Sequence, residues 1–378
     1  MAILDRLRRG VASSFIRTYG TLDVAAGLVA PAVADMKREG AGLGALELEV
    51  RAAFPAEDQA VSSAIDGYRR FAETGISPID AYYALRRLYW VTQGRANDFL
   101  GAHVTKTFPG QRIPKRLCSL LGDFTSKNVE EIASNIASLG YHRFGQTVPI
   151  KAIDSINDAL DDALRRGRPE EITVESVART FFKEDLLLGI PEVTRLAADP
   201  VFYHIASLHL RTQPVLGYIN SWVSRTHDNT EGLLEKSAQR FHFDMSNPYF
   251  IKTFIYLTDV DAKTGPHCVV PGTHTQKPAA LWRDGRIDDE EMNGFYPRAG
   301  WAVLPGKAGA VLMVDTRAFH KGMALEEGER RILELYYVNS LFGEHGPATF
   351  AAGRFDVNAF GDIAAYSSRF LSRLARAV

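Results

Sequence analysis

Residues 240–244 read Arg240-Phe241-His242-Phe243-Asp244. Side chains alternate between the two faces of a β-strand, so His242 and Asp244 would share one face and the two phenylalanines the other. An imidazole beside a carboxylate supplies two of the three ligands of the 2-His-1-carboxylate facial triad, an arrangement typical of non-haem Fe(II) sites. The chain contains 10 histidines, so a single pair of this kind carries little weight, and a third ligand must come from elsewhere.

His320 is the predicted third ligand. It follows the apolar run Gly309-Ala310-Val311-Leu312-Met313-Val314, which is typical of a buried strand. His320 lies 76 residues after Asp244 (320 − 244), so only a folded sheet structure would bring the two side chains together.

Arg331 comes eleven residues after His320 (331 − 320) and opens the apolar run from Ile332 to Val338. A guanidinium that faces a core needs an anionic partner, and the far carboxylate of a metal-chelating dicarboxylate would provide one. We interpret the neighbouring Arg330 as a solvated residue beside acidic side chains. Solvation of both arginines is the alternative.

The composition of the 378 residues is that of a globular protein, with 46% hydrophobic and 24% charged residues. A net charge of −1 predicts no general attraction to nucleic acid, and no run approaches the ~18 apolar residues of a membrane span. The two cysteines cannot build a disulfide framework. We therefore expect a cytoplasmic protein with reduced thiols, no nucleic-acid partner and no stable membrane insertion.

Helical patterns dominate the first half of the chain. Residues 1–125 are predicted to form a helical extension. Further helices are expected from Ser126 to Gly140, from Ile150 to Gly167 and, as one or two helices, from Thr173 to Leu208. From about residue 213, short β-rich runs punctuated by Gly-Pro and Pro-Gly turns favour an antiparallel sandwich or barrel.

Two further stretches carry a family resemblance. Thr253-Phe254-Ile255-Tyr256-Leu257-Thr258-Asp259 and Gly265-Pro266-His267-Cys268-Val269-Val270-Pro271-Gly272-Thr273-His274 follow the His-x-Asp pair, and the strand ending in His320 comes next. In this order the motifs resemble the phytanoyl-CoA dioxygenase family of iron- and 2-oxoglutarate-dependent oxygenases. The chain departs from the family pattern at Phe243, where the family often has Gln, and at Gly322, where it often has Ser.

The resemblance implies an α+β fold with a double-stranded β-helix (jelly-roll, cupin-like) core over residues 126–345. A helix-compatible pattern from Asp362 to Ala377 predicts a helical tail over 346–378. The resemblance also implies Fe(II) ligation by His242, Asp244 and His320, with Arg331 binding the distal carboxylate of 2-oxoglutarate. O₂ would be the second co-substrate, and succinate and CO₂ the products.

For a small-molecule substrate, the resemblance implies hydroxylation of an unactivated C–H bond. The carboxylate of Asp244 favours this over halogenation, in which related enzymes replace that ligand with a small residue. Two alternatives remain at this stage: a cupin-like metalloenzyme that does not use 2-oxoglutarate, and a non-catalytic binding or scaffold protein. The helical extension would either shape the substrate pocket or form a homo-oligomer interface.

Overall fold

Two antiparallel sheets form the centre of the molecule. The computed structural model describes residues 33–176, 179–226, 239–245, 247–283, 285–343 and 369–370. The larger sheet has the strand order β3-β10-β7-β12-β6-β5-β4, and a three-stranded sheet, β11-β8-β9, packs against it. This pair of sheets is the core of a double-stranded β-helix, and the predicted α+β fold class is confirmed.

The strands of these sheets, with a separate hairpin β1–β2, have the following bounds: Arg116–Ser119 (β1), Gly122–Thr125 (β2), Tyr141–Thr147 (β3), Ile172–Ser176 (β4), Arg179–Phe182 (β5), Val215–Arg225 (β6), Phe250–Tyr256 (β7), His267–Val269 (β8), Ala302–Leu304 (β9), Ala310–Val314 (β10), His320–Gly322 (β11) and Glu329–Val338 (β12).

The α-helices whose complete bounds fall within the described residues are Leu43–Ala53 (α1), Asp58–Thr74 (α2), Ile79–Val91 (α3), Arg95–Thr107 (α4), Ser126–Leu139 (α5), Ile150–Arg166 (α6), Glu184–Leu188 (α7), Pro191–Ala197 (α8), Pro200–Leu210 (α9) and Asp289–Phe295 (α10), and residues 33–40 are also helical. Helix α5 begins with a capping box between Thr125 and Asn128 and ends at Gly140, whose φ of 82° is readily adopted by glycine.

Strand alternation gives the larger sheet two different faces. Its outer face, which includes Ile255, Val311 and Leu333, packs in one core with helices α5 to α9. Its inner face, which includes Phe254, Leu312 and Ile332, packs with residues of the three-stranded sheet. The inner face therefore lines the space between the sheets, where a buried site can form.

The four N-terminal helices α1 to α4 pack on one end of the larger sheet. Their apolar side chains share a core with Val215, Phe250 and Tyr336. The Tyr336 hydroxyl donates a hydrogen bond to Asn247 Oδ1 at 2.8 Å. Helices α1 to α4 thus pack against strand β12, which also contributes residues to the site described below.

Two secondary-structure predictions are wrong. The segment from Thr173 to Phe182 was predicted to be helical, but it forms β4 and β5, because its β-branched and aromatic residues pair as strands beside β6. The predicted helical extension ends in a β-hairpin, β1–β2, whose Leu117 and Phe124 join the core of α5 to α9. The domain boundaries themselves stay predictions.

Much of the predicted C-terminal helical tail lies outside the described residues, as do residues 1–32. Within the described part, Phe370 is buried against Tyr203 and Tyr337. The Arg369 guanidinium pairs with Glu39 at 2.9 Å, so the two distant parts of the chain meet at a buried ion pair. None of the helices in the described ranges is long and apolar enough to cross a bilayer. The expected cytoplasmic location stays a prediction.

Candidate metal and co-substrate site

The segment 240–244 reaches the three-stranded sheet through single bridges rather than as the strand predicted from its sequence. His242 and His320 exchange backbone hydrogen bonds of 3.1 and 2.9 Å, and Phe241 bridges to Ile287. The Asp244 amide donates to Thr316 O at 2.9 Å. These contacts fix the backbone on both sides of His242 and bring His320 beside it, although 78 residues (320 − 242) separate the two histidines.

The side chains of His242, Asp244 and His320 converge as the sequence predicts. One ligand atom from each lies within 4.8 Å of the other two. Asp244 Oδ1 is 3.8 Å from His242 Nε2, and Asp244 Oδ2 is 3.9 Å from His320 Nε2. Because a first-row metal binds imidazole nitrogen and carboxylate oxygen at about 2.0–2.2 Å, small side-chain adjustments suffice for all three atoms to meet at one ion.

Backbone carbonyls fix the orientation of both imidazoles. His242 Nδ1 lies 3.0 Å from Arg240 O, and His320 Nδ1 lies 3.0 Å from Ala318 O. A carbonyl oxygen can only accept, so each Nδ1 carries the proton and donates it. Each Nε2 then has its lone pair directed at the shared space, which is the state that a metal ligand requires.

The electrostatics of the triad also suit a cation. Burial lowers the pKa of His242 and His320, which keeps both imidazoles neutral. Burial alone would raise the pKa of Asp244. The Lys252 ammonium outweighs that effect and holds the pKa well below its usual range. Two neutral nitrogens and one carboxylate form the donor set of the facial triad.

A buried charge network, which our sequence interpretation missed, holds Asp244 from the side of the larger sheet. Lys252 Nζ lies 3.0 Å from Asp244 Oδ2 and 2.9 Å from Glu334 Oε1. The Tyr218 hydroxyl donates to Glu334 Oε1 at 2.8 Å. The sequence contained an indication of this network, because Lys252 and Glu334 each lie within an otherwise apolar predicted strand. Charged side chains are rarely buried in such strands without a partner.

Strand β12 places Arg330 inside the barrel and Arg331 outside it. Arg330 is 4% exposed, and its Nε and Nη1 have no hydrogen-bond acceptor among the described residues. Arg331 pairs with Asp161 and Glu329, each at 2.7 Å, on the outer, helix-covered side. The prediction that Arg331 faces the interior, and that Arg330 is the solvated residue, is therefore corrected. The inward-facing positions of β12 therefore include Arg330, one residue before the position that the sequence analysis predicted to face inward.

Two glycines make room for the Arg330 guanidinium. A Cβ at Gly322 would lie 2.8 Å from Arg330 Nη2, and a Cβ at Gly265 would lie 3.0 Å from Nη1. Burial lowers the pKa of Arg330 to about 10, well above neutral pH, so the group stays a cation. The departure of Gly322 from the family pattern thus has a steric reason in this chain.

His267 lies beside the triad. Its ring stacks on His320 with 5.5 Å between centroids, and its Nε2 is buried without a hydrogen-bond acceptor or donor among the described residues. Burial holds its pKa well below the ordinary value, and the Arg330 charge acts in the same direction. His274 Nε2 lies 3.1 Å from Ala137 O of helix α5, so this ring links the loop after β8 to that helix.

A comparison with family models gives one match. The model described as phytanoyl-CoA dioxygenase covers residues 138–332, slightly more than half of the chain. The chain belongs to the phytanoyl-CoA dioxygenase family. The family match spans the whole triad and Arg330, and the predicted resemblance is confirmed. No curated protein matches the chain.

Solved structures resemble the chain more distantly. The epimerase SnoN from nogalamycin biosynthesis, described as α-ketoglutarate dependent, is 20% identical, with 56% of this chain and 83% of that chain covered and a TM-score of 0.41. EctD from S. alaskensis with bound Fe is 17% identical, with 61% and 86% covered and a TM-score of 0.42. The carbocyclase SnoK is 17% identical, with 55% and 83% covered and a TM-score of 0.39. Likeness at this level carries no information about the reaction of this chain.

The residues present fit the iron and 2-oxoglutarate that the family uses. His242, Asp244 and His320 would supply three metal ligands and leave the remaining positions open. Arg330 supplies a buried cation with unused donors for a carboxylate.

Proposed function

We propose that this protein is an Fe(II)- and 2-oxoglutarate-dependent oxygenase that hydroxylates an unactivated C–H bond of a small organic substrate. The observation that carries the proposal is the convergence of His242, Asp244 and His320 in the same barrel interior as the unpaired guanidinium of Arg330. The balanced reaction takes one substrate R–H, one O₂ and one 2-oxoglutarate to R–OH, succinate and CO₂. Ferrous iron, when bound, supplies the activation of O₂.

The protein's own residues prepare this chemistry. The two Nδ1–H···O=C bonds orient His242 and His320, and the network of Lys252 and Glu334 keeps Asp244 anionic. Arg330 would bind the distal carboxylate of 2-oxoglutarate through parallel N–H donors, which selects a dicarboxylate of the right length. The apolar cluster of the inner face excludes bulk water from the site.

Succinate release tests the oxygenase part of the proposal. Protein loaded anaerobically with Fe(II) and 2-oxoglutarate is exposed to O₂ with a library of small metabolites, and succinate is quantified. We expect Fe(II)-dependent succinate formation that falls at least 100-fold in His242→Ala. His142→Ala, which removes an imidazole from β3 outside the triad, is the matched control and is expected to retain activity.

The product tests the finer statement. With isotopically labelled O₂, hydroxylation places one labelled oxygen atom in the product and one in succinate. A substrate converted without gaining oxygen contradicts hydroxylation while leaving the oxygenase site intact. Turnover of a substrate without 2-oxoglutarate would favour a cupin-like metalloenzyme. The absence of both metal binding and turnover would favour a non-catalytic role.

A further inference from the structure

A second guanidinium, that of the partly buried Arg179, lies on the inner face of the larger sheet. Its carbon Cζ lies 4.6 Å from the ring centroid of Phe181 and 4.7 Å from that of Trp222. Trp222 belongs to the inner-face cluster, so the guanidinium lies on the inner face of the sheet. Its Nε is buried without an acceptor among the described residues. The two rings therefore fix the orientation of a cation whose buried donor is unused.

Arg179 lies in the same row of the sheet as the proposed co-substrate residue. Arg179 pairs with Ser224, and Ser224 pairs with Arg330 in the next strand. Directly opposed residues of neighbouring strands share a face, and neighbouring strands are about 4.8 Å apart. The Cα atoms of the two arginines are thus about 10 Å apart on the same face, with one strand between them.

The interior charges leave Arg179 without a partner. Among the described residues, Lys252 contacts the carboxylates of Asp244 and Glu334 at 3.0 and 2.9 Å, so these three groups together carry one net negative charge. The Arg330 cation, which is assigned to 2-oxoglutarate, offsets that charge. Iron and 2-oxoglutarate together add no net charge, because the dication and the dianion cancel.

Nearby charges do not neutralise this cation. Glu175 and Glu334 attract the Arg179 charge, but within the described ranges neither forms an ion pair with it, while Arg286 repels it. Burial lowers the pKa of Arg179 from its ordinary value. Partial burial of a cation is costly unless an anion arrives with a ligand. In the proposed function both ends of 2-oxoglutarate already have partners, the metal and Arg330, so we expect the anion for Arg179 to come from another ligand.

We propose that Arg179 binds an oxyanion of the primary substrate, a carboxylate or a phosphate, and that the substrate is therefore a small organic acid or phosphate ester. This inference rests on the proposed function, because it assumes that Arg330 is occupied by 2-oxoglutarate. Arg179 would position the substrate for the reaction and determine which substrates are accepted.

Binding of simple probes tests the inference before any substrate is known. Anaerobic protein is saturated with Fe(II) and 2-oxoglutarate and titrated with benzoate, phenyl phosphate and benzamide in a calorimeter. We expect at least one oxyanion to bind at least 10-fold more tightly than benzamide. That affinity should fall at least 10-fold in Arg179→Gln and persist in Arg331→Gln, the matched control on the outer face. Preference between benzoate and phenyl phosphate identifies the anion.

The outcomes separate the two proposals. Failure of 2-oxoglutarate to bind wild-type protein counts against the proposed function. Normal 2-oxoglutarate binding with no oxyanion binding, or with equal oxyanion binding in Arg179→Gln, overturns the inference about Arg179. Arg179→Lys keeps the positive charge but lacks the planar guanidinium. It provides a second test if the glutamine variant does not fold. It is expected to bind the oxyanion with intermediate affinity.

Discussion

Arg330 and Arg331 are consecutive residues of β12, and their guanidinium groups lie on opposite faces of the larger sheet. Arg330 points between the two sheets, where two of its nitrogens have no acceptor among the described residues. Arg331 pairs with Asp161 of helix α6 and with Glu329. The strand alternation thus separates a co-substrate candidate from a residue that holds a helix to the barrel.

The first prediction separates these two arginines. Arg330→Gln should weaken 2-oxoglutarate binding by about 30- to 100-fold, because a charge-assisted bidentate pair contributes about 2–3 kcal/mol. Arg331→Gln should leave that affinity within about twofold and lower the free energy of unfolding by at most about 1 kcal/mol. Anaerobic calorimetry with Fe(II) present measures the binding. Equal losses in the two variants would contradict the assignment of Arg330.

The second prediction concerns the space beside Arg330. Gly322→Ala should weaken 2-oxoglutarate binding by about tenfold, which is about 1.4 kcal/mol, because the new Cβ displaces the guanidinium from its position 2.8 Å away. Gly145→Ala is the matched control within a strand, since a Cβ there would have no neighbouring atom within 4 Å. Unchanged affinity in Gly322→Ala would show that the guanidinium position is not critical.

The third prediction concerns the Lys252 network. Lys252→Met should lower the metal-free unfolding free energy by about 3–5 kcal/mol, because Asp244 and Glu334 lose their shared cation. Metal binding restores a positive charge, so Co(II) should raise Tm more in this variant than in the wild type. Lys263→Met, at an exposed ion pair, is the control. A metal-free Lys252→Met protein as stable as the wild type would refute the network's role.

The fourth prediction uses Lys277, a buried ammonium whose nitrogen is 4.7–5.4 Å from the ring centroids of Phe243, Trp282 and Phe319. Burial lowers its pKa from 10.5 to about 7. Below pH 7 both folded and unfolded chains carry the proton, so the full cost of burying the charge is present. Between pH 7 and 10.5 the unfolded chain binds more protons, and stability from this group rises with pH.

Lys277→Met should therefore raise the unfolding free energy by about 1–3 kcal/mol at pH 6, and the gain should shrink toward pH 10. Chemical denaturation at several pH values measures it. Lys307→Met, with a side chain 84% exposed, should show no such trend. A gain that does not change with pH would mean that the effect comes from packing rather than from charge.

Local sequence signals predicted much of the fold. The boundaries of α5 and α6 follow from glycine stops at Gly140 and Gly167, and the apolar runs at β7 and β10 form strands as expected. Strands β4 and β5 were mistaken for a helix, because their pairing with β6 is a long-range contact that residue periodicity does not report.

The sequence predicted the convergence of the three candidate metal ligands but not the surroundings of the site. His242 and Asp244 are two residues apart, so a local pattern was sufficient to pair them. The surroundings of Arg330 and the partners of Lys252 depend on strand register and on which face each residue occupies. Counting eleven residues from His320 predicts neither the register nor the face, because the residues of the loop before β12 do not alternate between faces as strand residues do.

Strand β12 sends Arg330, Glu334 and Tyr336 to the same face, where they meet the proposed co-substrate position, the Lys252 network and the N-terminal helices. All three positions have even numbers, so they share one phase of the strand. A one-residue insertion or deletion in the loop before β12 leaves these three side chains on one face. The same change between Arg330 and Glu334 would place their side chains on opposite faces of the sheet. We therefore expect related sequences to keep the spacing between these three residues constant, while the length of the loop before β12 varies.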